Sequence, residues 1–163
     1  MEMYSFAKAI ERKGAEYYRK LANETDLNEI KGVFEHLAVE EDNHYKIFEA
    51  MECGNATGIE GTANSAIEKA KNVFAALARG VQVPVTLKDS AAAYKKGLEL
   101  ENESIAYYRK ARETAPDTSQ KKIIDMIIEQ ERSHARLMKS MIEFVNRPAQ
   151  WLENAEWYHL DAY

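Results

Sequence analysis

The chain has 163 residues, a net charge of −5 and a single cysteine, Cys53. This length suits one domain with a substantial core, and the acidic balance argues against nucleic acid as the main partner. A single cysteine excludes a disulfide framework and a paired-cysteine metal site, and the lack of any long apolar run predicts a cytoplasmic protein without a membrane span.

The first predicted hairpin, repeat 1, covers about residues 3–53 and contains two helices. In the first helix, residues at alternating three- and four-residue spacing form one inward stripe: Tyr4, Ala7, Glu11, Gly14, Tyr18 and Leu21. Asp26 and Glu29 fit a capping box that starts the second helix, and Gly54 is expected to end it near Cys53. The stripe of the second helix comprises Ile30, Phe34, Leu37, Glu41, His44, Phe48 and Met51.

Glu41 and His44 are the two polar members of that second stripe. A carboxylate and an imidazole three residues apart on a helix point the same way, and here they point into the core between Leu37 and Phe48. A buried ionised carboxylate is costly unless it is paired or bound to a metal. The pair therefore predicts partner charges at the same level of the core.

The crossover, residues 54–86, is predicted to run the length of a helical bundle. Residues 54–62 are rich in glycine and indicate a loop, and residues 81–85 indicate an extended segment. Between them, residues 63–79 predict a helix that Gly80 ends; a helix of about 17 residues spans roughly 25 Å. Its apolar face comprises Ile67, Ala70, Phe74 and Leu77.

The second hairpin, repeat 2, covers about residues 87–146. Thr86 and Asp89 form a capping box that opens its first helix, and Asp117 with Gln120 forms the box for its second. The two inward stripes comprise Tyr94, Gly97, Glu101, Ser104, Tyr108 and Ala111, then Ile124, Ile127, Glu131, His134, Met138 and Met141.

Beyond repeat 2, Pro148 is expected to stop the last helix near Asn146. Residues 148–163 contain Trp151 and Trp157. This tail is predicted to form a short helix that packs on the bundle.

The two hairpins are copies of one unit. Glu131 follows Glu41 by 90 positions, and the run Tyr17-Tyr18-Arg19-Lys20 recurs with the same offset as Tyr107-Tyr108-Arg109-Lys110. An ungapped repeat over both helices rarely arises by chance. The sequence therefore predicts an all-α fold, a four-helix bundle of two antiparallel hairpins within about residues 1–147.

The repeat places four glutamates and two histidines at one level of that bundle. Ferritin-like proteins hold two iron or manganese ions with one Glu from each of two helices and Glu-x-x-His from the other two. Four carboxylates balance the charge of two divalent ions, and oxygen and imidazole ligands suit iron or manganese. The predicted ligands are Glu11, Glu41, His44, Glu101, Glu131 and His134.

Within this set, Glu41 and Glu131 are expected to bridge the two metals. Glu11 and Glu101 are expected to be terminal ligands, with one histidine on each ion. Gly14 follows Glu11 by three residues, as Ser104 follows Glu101, and these small residues leave room for dioxygen or peroxide.

Four segments resemble the rubrerythrin branch of the ferritin-like superfamily: AIERKGAEYYRKLA, FEHLAVEEDNHYKIF, LELENESIAYYRKA and IIEQERSHARLM. The resemblance covers all four main helices, and the tail NRPAQWLENAEW is similar to that of short rubrerythrin-like proteins. It implies a centre of two iron ions that reduces hydrogen peroxide, with Glu11, Glu41, Glu101 and Glu131 as catalytic ligands. It also implies a homodimer, in which the long crossover would allow hairpins to exchange between subunits.

The chain departs from this family in two respects. It carries no rubredoxin domain, so electrons are expected from an external donor such as a rubredoxin-type protein. Rubrerythrins proper also have an extra glutamate three residues after the ligand of the third helix, where this chain has Ser104, which puts a ligand exchange at that position in doubt.

Other interpretations of the same pattern stay open at this point. The centre could contain manganese or a mixed metal pair, and dioxygen is an alternative oxidant. The chain could also be a ferroxidase or an iron-storage protein, which would need a closed cage, or a structural bundle without metal.

Several residues outside the repeat are interpreted as structural. Glu156 and His159 complete a further Glu-x-x-His motif that has no repeat partner, so we expect it to be a chance match. His36 is expected at the surface, and Cys53 to be a small apolar residue at a helix end. Tyr18 and Tyr108 are expected to pack in the core and to be able to hydrogen-bond a ligand carboxylate.

Overall fold

A computed structural model describes residues 2–55, 65–77 and 90–146, for Leu77 the backbone alone. Those residues form helices and their connections and contain no strand, which confirms the predicted all-α class. The helices are α1 (Glu2–Glu24), α2 (Asn28–Glu52), α3 (Ser65–Leu77), α4 (Ala91–Thr114) and α5 (Thr118–Asn146).

The long helices form two antiparallel hairpins, α1–α2 and α4–α5, whose turns lie at opposite ends of the bundle. Phe34, near the start of α2, and Tyr94, near the start of α4, belong to one apolar cluster together with the end of α5. Phe48, near the end of α2, and Tyr108, near the end of α4, belong to a second cluster together with the start of α5. The end of α2 and the start of α4 therefore lie at opposite ends of the bundle, which is the arrangement that a long crossover requires.

The predicted stripes are the faces that the hairpins bury. In α2 and α5 every member is buried, including the two carboxylates and two imidazoles, and in α4 all six members are buried. In α1 only Tyr4 and Gly14 are half-buried. Apolar burial of this kind stabilises a helical bundle by roughly 25 cal/mol per Å² of surface removed from water. The polar level lies between the two apolar clusters, which exclude water from above and below.

The helix ends confirm some of the predicted caps and contradict one. The Asp26–Glu29 capping box is wrong: the N-cap of α2 is Leu27, without a side-chain hydrogen bond. Leu27 packs against the first apolar cluster, and this contact determines how the chain enters the helix. At the other end, Gly54 has a φ of 72° just after α2, the left-handed conformation that favours glycine.

At the start of α5, the Asp117 carboxylate caps the helix by accepting a hydrogen bond of 2.8 Å from the Gln120 N–H. The reciprocal half of the predicted box is replaced, because the Gln120 side-chain oxygen accepts a hydrogen bond from the Tyr4 hydroxyl. This contact joins the start of α1 to the start of α5. The last helix ends at Asn146 as predicted.

The helix of the crossover, α3, packs against the first apolar cluster through Ile67, Ala70 and Phe74, three members of its predicted face. The Phe74 ring lies 5.2 Å from the Phe144 ring in α5, measured between ring centroids. Several predictions lie outside the described residues: most of the loop, the extended segment, the Thr86–Asp89 box and the tail at 148–163.

None of the helices in the described ranges combines the length and the apolar character that are needed to cross a bilayer.

Candidate metal centre

The structure brings all six predicted ligands into one buried cluster at the middle of the bundle. Their ligand atoms form two sets of four, and the atoms of each set lie within 4.8 Å of one another. We call these sets position 1 (Glu11, Glu41, His44 and Glu131) and position 2 (Glu41, Glu101, Glu131 and His134). Glu41 and Glu131 belong to both sets, so they are the residues that would contact both metals.

In position 1 the imidazole of His44 faces the opposite hairpin. Its Nδ1 atom lies 2.8 Å from Glu131 Oε1 and 3.5 Å from Glu11 Oε2. All three side chains are completely buried. Because α1, α2 and α5 each supply one of them, the geometry of this position depends on the packing of both hairpins.

Position 2 repeats this arrangement with the roles of the hairpins reversed. His134 Nδ1 lies 3.0 Å from Glu41 Oε1 and 3.8 Å from an oxygen of each of Glu101 and Glu131. The rings of His134 and His44 are nearly parallel, with centroids 5.9 Å apart. The two positions are therefore related by an approximate twofold symmetry that follows the sequence repeat.

Within the described part of the chain, the atoms that point into the cluster have no hydrogen-bond partner outside the cluster and face only one another. They include Nδ1 of both histidines, both oxygens of Glu131, Glu11 Oε2 and Glu41 Oε1. Taking several ionisable groups out of water is costly even when they contact one another, so the cluster is unfavourable unless protons or metal ions bind it. Oxygen and imidazole donors at these separations fit two divalent metal ions, as in ferritin-like bundles.

Glu11 and Glu101 each belong to one set only, and each carboxylate is held by a tyrosine of the other hairpin. The Tyr18 hydroxyl donates a hydrogen bond to Glu101 Oε1, and the Tyr108 hydroxyl donates one to Glu11 Oε1. Both tyrosines are buried. They therefore pack in the core and also orient Glu101 and Glu11, as the sequence predicted.

Comparison with protein-family models supports the same conclusion. The model of the rubrerythrin family matches residues 2–142, which include all six residues of the cluster. The chain belongs to the rubrerythrin family. Comparisons with curated proteins and with solved structures found no match. Membership in this family, together with the buried cluster, indicates a metal centre and a redox protein of the di-iron type.

In this rubrerythrin-family chain, two buried polar residues that contact the histidines were not found from the sequence, Glu40 and Gln130. Each precedes a shared glutamate, and they are 90 positions apart, so they occupy equivalent places in the two repeats. His134 Nε2 lies 2.7 Å from Glu40 Oε2, and His44 Nε2 lies 2.6 Å from Gln130 Oε1. The available signal was the repeat itself, which pairs two polar residues beside the ligands.

Burial and mutual repulsion control protonation in the metal-free cluster. Burial raises the pKa of Glu11 well above its usual range, and the carboxylates of Glu131 and Glu41 raise it further. Burial alone would lower the pKa of His44, but Glu11 and Glu131 outweigh it and raise that pKa well above the usual value. Burial also raises the pKa of Glu101, and the carboxylates of Glu41 and Glu131 raise it further. Position 1 and position 2 therefore retain protons that metal ions would displace.

Glu131 shows the opposite shift. Burial would raise its pKa, but the neighbouring imidazoles of His44 and His134 lower it below the usual range. Glu131 is thus a carboxylate that stays ionised between two protonated rings. An ionised, shared carboxylate is the group that a second cation would need in order to bind beside the first.

A pocket of about 560 Å³ leads from the surface to the cluster between α1 and α4. Glu41 and Glu101 line its inner part, next to Gly14 and Ser104. A Cβ atom on Gly14 would lie 3.1 Å from Glu41 Oε2, so the absence of a side chain there makes room for the carboxylate. The Ser104 hydroxyl donates to the Leu100 carbonyl oxygen at 3.0 Å and so belongs to its own helix.

The remaining sequence predictions have mixed outcomes. His36 is half-buried, not at the surface, because its Nδ1 atom lies 3.1 Å from Ser65 Oγ at the start of α3. Cys53 is exposed at the end of α2, so it does not fill an apolar site. Glu156 and His159 lie outside the described residues.

Proposed function

We propose that this chain is a non-haem di-iron protein that reduces hydrogen peroxide with electrons from a separate donor. The observation that supports it is the pair of four-residue sets that share Glu41 and Glu131 and open into a surface pocket. In this proposal the six cluster residues are the metal ligands, and the four glutamates also take part in catalysis. Two iron ions held by these residues would supply the two electrons that the reduction of one peroxide needs.

The protein's own contribution is to hold, orient and enclose the metals. The hydroxyl groups of Tyr18 and Tyr108 fix one oxygen of each terminal carboxylate, leaving the other oxygen to face the cluster. Mutation of such partners of metal ligands typically lowers metal affinity or activity by about 10- to 100-fold. The apolar clusters above and below exclude bulk water, which strengthens electrostatic interactions inside.

The pocket supports a small oxidant as the substrate. It reaches the cluster beside Gly14 and Ser104, and Phe6 and Tyr107 contribute aromatic surface, with their ring centroids 4.7 Å apart. Hydrogen peroxide and dioxygen are both small enough to enter. Reduction of one hydrogen peroxide to two water molecules takes two electrons and two protons. The metal pair would supply both electrons, one from each ion.

The electrons must come from outside the 163 residues, because these contain one cysteine and cannot form a four-cysteine iron site of their own. A rubredoxin-type protein is the donor that we propose. The exposed Cys53 has no disulfide partner, which suits a reduced, cytoplasmic setting.

We also propose a homodimer, which the family resemblance supports, with exchange of hairpins across the crossover as one form of it. The mass in solution tests this directly. A species of two chains supports the proposal, and a large closed shell would contradict it and favour iron storage.

The function is tested by loading the metal-free protein with ferrous iron without oxygen and then adding one equivalent of hydrogen peroxide or dioxygen. The proposal expects two irons per chain and oxidation by peroxide that is much faster than oxidation by dioxygen. Faster oxidation by dioxygen with continued turnover of added iron would identify a ferroxidase. Glu35→Gln, which changes an exposed carboxylate of α2, serves as the matched control and is expected to behave as the wild type.

A further inference from the structure

Each histidine of the cluster is held from behind by a side chain of the opposite hairpin. Glu40 of α2 contacts His134 of α5, and Gln130 of α5 contacts His44 of α2. All four side chains are buried. The two contacts join equivalent positions of the two repeats, so they support the two histidines in the same way.

These contacts fix which ring nitrogen faces the metals. An ionised carboxylate can only accept a hydrogen bond, so His134 donates through Nε2–H to Glu40, and Nδ1 is the atom that faces position 2 and can bind a metal once it has lost its proton. The Gln130 carbonyl oxygen does the same for His44 at position 1. Both imidazoles are therefore oriented for metal binding through Nδ1 before any metal arrives.

The two supporting side chains differ in charge. Glu40 is a carboxylate and Gln130 is a neutral amide, whereas each repeat supplies the same three groups, two Glu and one His, to the metal positions. A carboxylate behind a metal-bound imidazole increases the basicity of the ring. It also adds a negative charge close to position 2 that position 1 does not receive from Gln130.

Glu40 is itself held firmly by the start of α3. Its Oε1 atom accepts hydrogen bonds from the Ser65 hydroxyl at 2.8 Å and from the Ala66 N–H at 3.0 Å. Its other oxygen accepts the bond from His134. Both Glu40 oxygens thus accept hydrogen bonds. An amide at this place has only one acceptor oxygen, so it would lose one of the contacts.

We infer that the two metal positions are unequal, and that Glu40 and Gln130 are the positioning residues that make position 2 bind a divalent metal more tightly than position 1. This inference rests on the proposed metal centre but adds to it an order of filling. The first ion would enter between Glu101 and His134, and the second would complete the pair at Glu11 and His44.

The test is an oxygen-free titration of the metal-free full chain with Co²⁺. Binding is measured by calorimetry and by the visible absorbance of the bound ion. The wild type is expected to bind two ions in steps of unequal affinity. The tight step should persist in Glu11→Ala, which removes a ligand from position 1 alone, and disappear in Glu101→Ala, which removes one from position 2 alone. The reverse result would overturn the inference.

Exchanging the residue types at positions 40 and 130 tests the role of Glu40 and Gln130. Glu40→Gln is expected to weaken the tight step by roughly 10- to 100-fold and leave the weak step unchanged. Gln130→Glu is expected to tighten the weak step, and it tests the inference even if Glu40→Gln does not fold. Glu35→Gln, an exposed carboxylate change in the same helix, should change neither step.

Ser65→Ala separates the charge of Glu40 from its contact with α3, because it removes one donor and keeps the carboxylate. Its effect on the tight step should be much smaller than that of Glu40→Gln, and an equal effect would contradict a role for the charge. Two equal steps in the wild type would overturn the inference and leave the metal centre intact. Failure of the wild type to bind Co²⁺ at all would instead overturn the proposed function.

Discussion

The two hairpins of this chain present the same groups to the centre of the bundle but surround them differently. Both supply one glutamate from the first helix and Glu-x-x-His from the second. Behind these groups, repeat 1 has Gly14 and Glu40 where repeat 2 has Ser104 and Gln130. The groups facing the centre of the cluster thus keep their symmetry, while the residues that support them have diverged.

This comparison shows how one duplicated unit can produce two unlike positions. In repeat 1 the second helix packs against α3, and the first residues of α3 bind Glu40. The ligands alone would predict two equal metal positions. The supporting residues predict that one position is tighter and that its histidine is linked to the crossover.

The largest effect should come from the two glutamates that the positions share. Glu131→Ala or Glu41→Ala removes a ligand from both positions, so binding of two metals should be lost. Glu11→Ala and Glu101→Ala each remove a ligand from one position, and one metal per chain should remain. Metal analysis after oxygen-free loading and gel filtration gives these ratios. Equal losses in all four variants would break the distinction between shared and terminal ligands.

The next effect is a dependence of metal affinity on pH that both hairpins share. The pKa values of Glu11, Glu101, His44 and His134 are raised in the metal-free protein, so metal binding must release protons. Lowering the pH from 8 to 6 should therefore weaken binding, by up to about tenfold per pH unit for each proton released. A titration in buffers of different ionisation enthalpy measures the number of protons.

The same shifts determine how the stability of the metal-free protein varies with pH. The pKa values of His44 and His134 are higher in the folded protein than their usual value of 6.5. Protonation of these rings therefore stabilises the fold fully below pH 6.5, and this stabilisation is lost as the pH rises through the pKa values of the folded protein. The pKa values of Glu11 and Glu101 are also raised, so their contribution to stability likewise falls as the pH rises above 4.5. The melting temperature of the metal-free protein should fall between pH 6 and 8. A rise in melting temperature over that range would contradict the protonation that we describe.

The tyrosine pair provides a symmetric test to set beside the asymmetric one. Tyr18→Phe removes the hydrogen bond to Glu101 in position 2, and Tyr108→Phe removes the bond to Glu11 in position 1. Because both contacts have the same chemistry, each change should weaken its own position by a similar factor, roughly tenfold. Co²⁺ titrations of the two variants measure this, and strongly unequal effects would show that the tyrosines add to the asymmetry.

The smallest effect is expected at the pocket, where Gly14→Ala and Ser104→Ala form a pair. A methyl group at residue 14 would crowd Glu41 at 3.1 Å, and overpacking of this kind typically costs about 1–3 kcal/mol. An alanine at residue 104 loses one bond within its own helix. Gly14→Ala should lower metal affinity several-fold and Ser104→Ala should leave it nearly unchanged. Equal behaviour in the two variants would show that Glu41 can move aside at no cost.

Much of the fold and the six cluster residues could be predicted from the sequence because both depend on simple periodicity. Apolar spacing defined the four main helices, and the repeat showed that Glu41, His44, Glu131 and His134 interrupt two otherwise apolar stripes. Two copies of the same interruption require a shared explanation, which the structure provides by burying them together.

The remaining features depend on contacts that periodicity does not encode. Glu40 lies about a quarter-turn round α2 from Glu41, so it is at the edge of the buried stripe and is buried only because α3 covers it. Leu27 replaced the predicted cap because packing against an apolar cluster outweighed a surface hydrogen bond. Each of these residues is determined by a neighbour that is distant in sequence.

The central claim is that one buried cluster holds two metals that share Glu41 and Glu131. The most direct test is a crystal structure of the iron-loaded protein with anomalous diffraction at the iron edge. The account predicts two iron peaks in each bundle, one beside Nδ1 of His44 and one beside Nδ1 of His134, with both shared carboxylates between them. A single peak, or iron bound elsewhere while the cluster stays empty, would contradict it.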